Sequence, residues 1–134
     1  MIFLLDTDTL IALCRGWLPH GERKLEALPP RSCAMSVVNY CELRVGVLKG
    51  RYRSKETAVV DHLTSLFPVM PLTQEVGDVY GEIRTDLERR GEGIGQLDTL
   101  IAAHALSLGL TLVTSNTREF RRVRGLKLED WSKA

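Results

Sequence analysis

The sequence predicts an α/β fold: one α/β/α sandwich around a mainly parallel central sheet, with residues 1–134 forming a single unit. Three observations carry that reading. Short apolar runs such as Ile2-Phe3-Leu4-Leu5 stop abruptly in acidic or hydroxyl residues, as buried parallel strands do at their carboxyl ends. Stretches with helical apolar spacing alternate with these runs along the chain. At 134 residues and 44% hydrophobic content, with no repeat or linker, the chain suffices for one sizeable core.

Residues 2–5 form the first strand, ending in Asp6-Thr7-Asp8, and a first helix follows near residues 9–15. A turn at residues 19–21 leads into a short helix that stops before Pro29-Pro30. Residues 33–35 make a second strand, and Ser36 caps a helix running to Lys49 with Val37, Cys41, Val45 and Leu48 as its core stripe. A polar helix over residues 54–66 and a short strand at 68–70 come next. Thr73 caps a long helix to Arg90. The glycine-rich loop at residues 91–96 delivers a helix begun by Asp98, with Ile101, Ala102, Ala105 and Leu108 at core spacing. Strand 110–113 ends in Thr114-Ser115-Asn116 much as the first ends in Asp6-Thr7-Asp8, and a last strand occupies residues 126–128.

Four acids stand where a strand end or apolar helix face should carry no charge: Asp6, Glu42, Asp98 and Glu119. Moving an ionised carboxylate into a low-dielectric interior costs several kcal/mol or more, of the order of ~5, unless a partner or metal compensates it. Each has an ordinary explanation taken singly. Asp6, Asp8 or Asp98 could cap a helix, and Glu42 could pair with Arg44 or Lys49. Together they read as a metal site, because several independent element ends would otherwise all aim acid at the core.

A net charge of +1 excludes a strongly basic polyelectrolyte, so nucleic-acid affinity must come from local clusters. One runs from Arg44 through Lys49, Arg51, Arg53 and Lys55; another, Arg118, Arg121, Arg122, Arg124 and Lys127, lies beside Glu119. Such runs are ordinarily solvated faces, and phosphate contacts become the stronger reading beside a metal site. No segment carries the roughly 18 apolar residues of a membrane span, and the amino-terminal run lacks a basic region, so a cytoplasmic protein is expected. Cys14, Cys33 and Cys41 form no CxxC pair and read as reduced core residues. His20, His62 and His104 lack ligand spacing, and His104 falls about 240° round its helix from Asp98. Trp17, Tyr40, Tyr52 and Trp131 are available either to stack on bases or to fill core and interfaces.

The chain also resembles a known family. Leu4-Leu5-Asp6-Thr7; Ser36-Val37-Val38 with Glu42-Leu43 and Gly46; Ile94-Gly95 with Asp98 and Ile101-Ala102-Ala103-His104-Ala105; and Leu112-Val113-Thr114 with Asn116-Thr117-Arg118-Glu119-Phe120 are similar to PIN-domain ribonucleases, above all the VapC toxins of bacterial toxin and antitoxin pairs. The likeness extends to Val123, Gly125-Leu126 and Glu129-Asp130-Trp131. It implies a PIN-like sandwich and an endoribonuclease using Mg2+ or Mn2+. By resemblance Asp6 and Asp98 contact the metal most directly and Glu42 completes the pocket, while the fourth role stays open between Glu119, which would supply charge, and Asn116, which would supply a neutral oxygen or a hydrogen bond to water. Some relatives carry Asp at the position of Asn116, and commonly Asn at that of Asp8. Thr7, Asp8, Thr114, Ser115 and Asn116 form a supporting polar shell, while Arg44, Arg118, Arg121 and Arg122 are candidates for RNA or antitoxin contacts. The resemblance further implies a homodimer, an occluding VapB-type antitoxin, an RNA substrate, and DNA reached only through the antitoxin.

Two other readings are weighed. Residues 3–10 also look like the first motif of haloacid-dehalogenase-type phosphatases, with Asp6 attacking phosphorus and Asp8 as acid and base, and Gly77-Asp78 with Glu82 as the acidic motif. The order is wrong, since the hydroxyl strand at Thr114 should precede that motif, and residues 77–82 lie in an amphipathic helix. A PIN-fold interaction module that has lost turnover is the non-enzymatic reading, and intact Asp6, Glu42 and Asp98 argue against it. Gly91, Gly93 and Gly95 lack the Lys and Ser or Thr of a phosphate loop.

Overall fold

Strand β1 (Phe3–Leu5) lies at the centre of a five-stranded sheet completed by β2 (Cys33–Ser36), β3 (Val69–Met70), β4 (Thr111–Val113) and β5 (Leu128–Glu129). The structure is a computed structural model describing residues 1–51 and 53–133; Tyr52, one of the aromatics considered for stacking, and Ala134 lie outside the described residues. The sheet order is β3-β2-β1-β4-β5 and every pairing is parallel, with Phe3 opposite Cys33 on one side and Thr111 on the other.

Side chains of a strand alternate between faces, and both faces of β1 are buried, so its run is continuously apolar. Phe3 and Leu5 join Cys33, Met35 and Val113 on one face. That face is covered by α1 (Thr7–Cys14), α2 (Pro19–Ala27), α3 (Val37–Lys49) and α4 (Arg53–Leu66), whose Leu10, Leu25, Leu43 and Leu63 pack there. Leu4, Ala34 and Leu112 face the other way, against Val76, Ile83, Ile101 and Phe120 of α5 (Gln74–Arg89), α6 (Gln96–Leu108) and α7 (Thr117–Phe120). This is the α/β/α layering expected from the sequence.

The chain steps outward from β1 to β2 and β3, then crosses back to set β4 on the opposite side of β1. Where strand order reverses, the connections leave in opposite directions and a crevice opens at the carboxyl ends of the two strands. Asp6 and Thr114 are the residues immediately following β1 and β4.

Several boundaries differ from the sequence reading. Helix α1 starts at Thr7 rather than residue 9, because Asp6 itself caps it. Pro19 opens α2 instead of forming a turn before it, since its missing N–H costs nothing in a first turn. Ser36 caps α3 as expected, its hydroxyl accepting from Val38 N at 3.1 Å, whereas Thr73 precedes α5 without a side-chain cap bond. The short α7 was not anticipated, and β5 lies at Leu128–Glu129 rather than 126–128, drawn there by pairing with Leu112 and Val113. The buried face of α3 is Val38, Asn39, Leu43 and Val47; Cys41, Val45 and Leu48 are exposed. That helix is apolar on nearly every side, so periodicity could not select its inner face. Leu108 is likewise exposed, in the last turn before Gly109 ends α6 in the left-handed region at φ +68. Of the three free cysteines only Cys33 is buried. No described helix is long and apolar enough to cross a membrane.

Candidate active site

Asp6 stands at the carboxyl end of β1 and caps the helix that follows. Its backbone N–H bonds Val113 O at 2.9 Å, fixing it at the end of the sheet, and its side chain caps α1 through Thr7 N at 2.9 Å. Only 9% of it is exposed. Oδ1 also accepts from Asn39 Nδ2 at 3.1 Å, and Oδ2 accepts from Thr114 Oγ1 at 2.8 Å. Burial raises the proton affinity of Asp6, against the hydrogen bonds from Thr114, Thr7 and Asn39 and with the charge of Asp8.

Glu42 extends from the exposed edge of α3 and accepts from Thr7 Oγ1 at 3.1 Å. Loss of water around its carboxylate raises its proton affinity; the Thr7 bond opposes this, and the charges of Asp6 and Asp8 add to it. Asp98 is half-buried in the first turn of α6, and its carboxyl is pushed up to about 6 by burial and then by the charges of Asp6, Glu119, Glu42 and Asp8. The helix end that carries Asp98 favours its ionised form, but burial and then the four neighbouring carboxylates overcome that preference. Asp98 is therefore within electrostatic reach of the other three acids of the sequence reading.

The polar shell is built from two directed relays. Asn39 Nδ2 donates to Thr7 Oγ1 at 2.9 Å, and that hydroxyl donates onward to Glu42. Asn116 N donates to Thr114 Oγ1 at 3.1 Å, and that hydroxyl donates onward to Asp6. Filling each hydroxyl's acceptor side with an N–H leaves its proton for a carboxylate. Asn116 also donates through Nδ2 to Glu119 Oε2 at 3.0 Å, so it holds the fourth acid in α7. Asp8 and Ser115 are exposed and line a cavity of about 380 Å3 with Ile11, Trp17, Leu18 and Asp130. The cavity lies beside the acidic cluster and includes none of Asp6, Glu42, Asp98 or Glu119.

The arginines divide. Arg122 Nη1 is bonded to Gly93 O at 3.2 Å, and Arg90 Nη2 to Arg122 O at 2.6 Å, which ties α5 and the segment after α7 to the loop before Asp98. Arg118 and Arg121 are exposed on and just beyond α7. Arg44 sits about 200° round α3 from Glu42 and does not flank it. Among the described residues the ion pairs join Lys24 to Glu129, Arg84 to Glu88, Arg90 to Asp86 and Glu92, and Arg124 to Asp86, none of them reaching the four acids.

Asn39 is the candidate-site residue that sequence reasoning missed, and its signal was an amide between the apolar Val38 and Tyr40, one turn before Glu42. His104, which lacks ligand spacing in the sequence, is a core histidine, fully buried with Nδ1 at 2.7 Å from Ser36 Oγ; burial lowers its proton affinity and a hydrogen bond with the Pro71 backbone opposes this. Trp131 is core rather than a base platform. Gly77, Asp78 and Glu82 lie on the exposed side of α5, not at a strand end, which removes the phosphatase reading.

Donor chemistry fits a hard divalent cation. The converging groups are carboxylate and hydroxyl oxygens, with no thiol or imidazole, and their mutual repulsion is what a cation would relieve. Among the described residues no three His, Cys, Asp or Glu side chains stand close enough to enclose an ion by themselves. Few direct protein ligands, with water and phosphate completing the shell, is the arrangement magnesium favours.

Comparison with known proteins agrees with this architecture. The family model of the PIN domain matches residues 3–126. The chain is 37% identical over 130 residues to the tRNA(fMet)-specific endonuclease VapC of Shigella flexneri, covering 97% of this chain and 98% of that one. It is 34% identical over 134 residues to ribonuclease VapC2 of Rickettsia felis, covering 99% and 100%. Among solved structures, VapBC-1 from nontypeable Haemophilus influenzae superposes with a TM-score of 0.91 at 31% identity over 99% of this chain and 100% of that one. DNA-bound VapBC from Salmonella typhimurium does so with a TM-score of 0.91 at 34% identity over 98% of each.

Proposed function

Since this chain belongs to the PIN-domain family, we propose that it is an endoribonuclease that hydrolyses RNA phosphodiester bonds with Mg2+ or Mn2+, the toxin of a VapB-type antitoxin pair. The observation that carries the reading is the set of acids about the crevice between β1 and β4, where Asp98, pushed up to about 6 first by burial, also feels the charges of Asp6, Glu119 and Glu42. Relatives named as ribonucleases over nearly the full chain support it.

Asp6 and Asp98 would hold the cation most directly, with Glu42 and Glu119 completing the negative field. Bound there, the cation supplies activation of water and neutralisation of the phosphate and the departing oxygen. The chain's own part is positional. Thr114 and Thr7 N fix both oxygens of Asp6, Thr7 aims Glu42, and Asn116 aims Glu119. In the net reaction a water oxygen bonds to phosphorus, the bond to the departing ribose oxygen breaks, and that oxygen takes up a proton. Arg118 and Arg121 are exposed beside Glu119, which supports their contacting RNA phosphate or an acidic segment of the antitoxin.

A VapB-type antitoxin would cover the site, and DNA would be reached through it; the similar VapBC2 of Rickettsia felis and VapBC of Salmonella typhimurium are complexes bound to DNA. An apolar groove lined by Ile11, Leu43, Gly46, Val59 and Val60 runs up to Glu42, which supports an antitoxin segment lying there. A homodimer in the cytoplasm completes the proposal. The deciding experiment is cleavage of total cellular RNA by the purified, antitoxin-free protein with Mg2+, with Mn2+ and with chelator, for wild type, Asp6→Asn and Asp98→Asn. Discrete metal-dependent fragments absent from both variants are expected. Cleavage unchanged by either substitution refutes the site, and no cleavage by folded, metal-loaded wild type favours the silent module.

A further inference from the structure

We propose that Asn39 is the positioning residue of this site, a single buried amide that orients two of its carboxylates at once and thereby sets its affinity for a divalent cation. The inference rests on the nuclease reading for its consequence in catalysis, but not for its geometry. Asn39 is 0% exposed on the inner face of α3, where its neighbours Val38, Leu43 and Val47 are apolar. Its Nδ2 donates to Asp6 Oδ1 at 3.1 Å and to Thr7 Oγ1 at 2.9 Å. Its own Oδ1 is buried with no hydrogen-bond partner among the described residues.

That orphaned oxygen is the telling feature. A buried carbonyl without a donor weakens the fold, and an apolar side chain of similar shape would avoid the loss. The orphaned oxygen offsets part of what the two donated hydrogen bonds contribute to stability, so what distinguishes the amide is the direction those bonds give to Asp6 and Thr7. The orientation of the amide is also determined. Rotating it would put Oδ1 against the Asp6 carboxylate with no proton between two oxygens, so Nδ2 must face Asp6.

The two bonds act on different elements. Toward Asp6, Asn39 contacts the carboxylate at the end of β1 directly, from a helix on the neighbouring crossover. Toward Thr7, it occupies the hydroxyl's acceptor side and so directs that proton to Glu42 Oε1, 3.1 Å away. Asn39 and Glu42 are three residues apart on α3, so the helix carries both the acid and the group that aims it. Outer partners of this kind typically change metal affinity or activity by about 10–100-fold when removed.

The test compares wild type with Asn39→Leu and Asn39→Thr in the full chain, using Mn2+ alone as the probe. Metal-free unfolding, Mn2+ affinity by calorimetry, and kcat and KM on RNA are measured for each. Asn39→Leu is expected to bind Mn2+ about tenfold or more weakly than wild type, whatever the change in its metal-free melting temperature. Its kcat should fall by a similar factor with KM little changed. Asn39→Thr keeps one donor and should recover part of both losses. A purely structural residue would instead lower the melting temperature and leave Mn2+ affinity alone. Mn2+ binding by Asn39→Leu within twofold of wild type overturns the proposal. If Asn39→Leu does not fold, Asn39→Thr decides: wild-type Mn2+ affinity with a single donor overturns it, and an intermediate value supports it. Wild type that binds Mn2+ but cleaves no RNA refutes the nuclease reading alone, and wild type that binds no Mn2+ refutes both.

Discussion

Thr114 donates its hydroxyl to Asp6 Oδ2 at 2.8 Å, joining residues 108 apart in sequence across the seam between β4 and β1. The same hydroxyl accepts from Asn116 N at 3.1 Å. A hydroxyl bound on both sides has no rotational freedom left, so the Asp6 carboxylate is held in one plane by groups from three parts of the chain.

Replacing that hydroxyl by a methyl tests the relay. Thr114→Val keeps the shape of a residue 1% exposed but strands Asn116 N and one oxygen of Asp6. A loss of about 1–3 kcal/mol in urea unfolding is expected. RNA cleavage should fall by about 10–100-fold, as for other groups that orient a metal ligand.

Asp6→Asn and Asp98→Asn should both abolish cleavage while differing in stability. Asp6 accepts three hydrogen bonds, and an amide in its place would turn an N–H toward a donor. About 1–3 kcal/mol should be lost. Asp98 is destabilised by its neighbours' charges, so its amide should leave the metal-free protein at least as stable at pH 7. Equal thermal shifts in the two variants would contradict this contrast.

The raised carboxyl groups make metal-free stability depend on pH with a definite sign. Asp98 ionises at 3.8 when unfolded and at about 6 when folded, so between these values the folded state holds more protons. Stability then falls as pH rises through that window and levels off above it. Asp6 and Glu42 shift in the same direction. Melting temperatures in chelator at several pH values should trace this decline, and Asp98→Asn should flatten it. A melting temperature that climbs across the window would overturn the assignment.

Metal should reverse the decline. A ligand that binds only the folded state stabilises it by about 2.7 kcal/mol at a hundredfold excess over Kd. The Mg2+-induced rise in melting temperature should therefore be larger at pH 8, where the acids are ionised, than near pH 5. Chelation should return the protein to the metal-free curve, and Asp98→Asn should show little rise at either pH.

Trp131 predicts an effect at the far end of the chain. It is 2% exposed and meets the Phe3 ring edge-on at 5.3 Å, with its indole N–H bonded to Glu129 at 3.1 Å. Trp131→Ala should cost about 3–5 kcal/mol, measured by denaturant unfolding. The segment after β5 is thus part of the core on which β1 rests, not an appendage.

Much of this was legible in residue order. The apolar run ending at Asp6, the serine before α3 and the helix begun near Asp98 could each be read locally, because strand ends, caps and 3.6-residue spacing are properties of neighbouring residues. The inner face of α3 could not. Val37, Cys41, Val45 and Leu48 form as good a stripe as Val38, Leu43 and Val47, and only docking against β1 and β2 selects between them. Asn39 was hidden for the same reason: an amide on a helix of undetermined orientation has no evident partner.

By itself the sequence determined the α/β/α class, the alternation of elements and the candidate acids at their ends, since these follow from hydrophobic period and residue chemistry. Tertiary structure decided which groups meet. Strand β4 crosses to the far side of β1 and brings Thr114 and Asn116 beside Asp6, while α3 packs with Asn39 inward and Glu42 at its edge. Hydrogen bonds act over about 3 Å, and the chain separations they span here exceed 30 residues for Asn39 and 100 for Thr114. Distance in sequence carries no information about contacts that depend on strand order and helix rotation, so the acids could be named in advance and the groups that aim them could not.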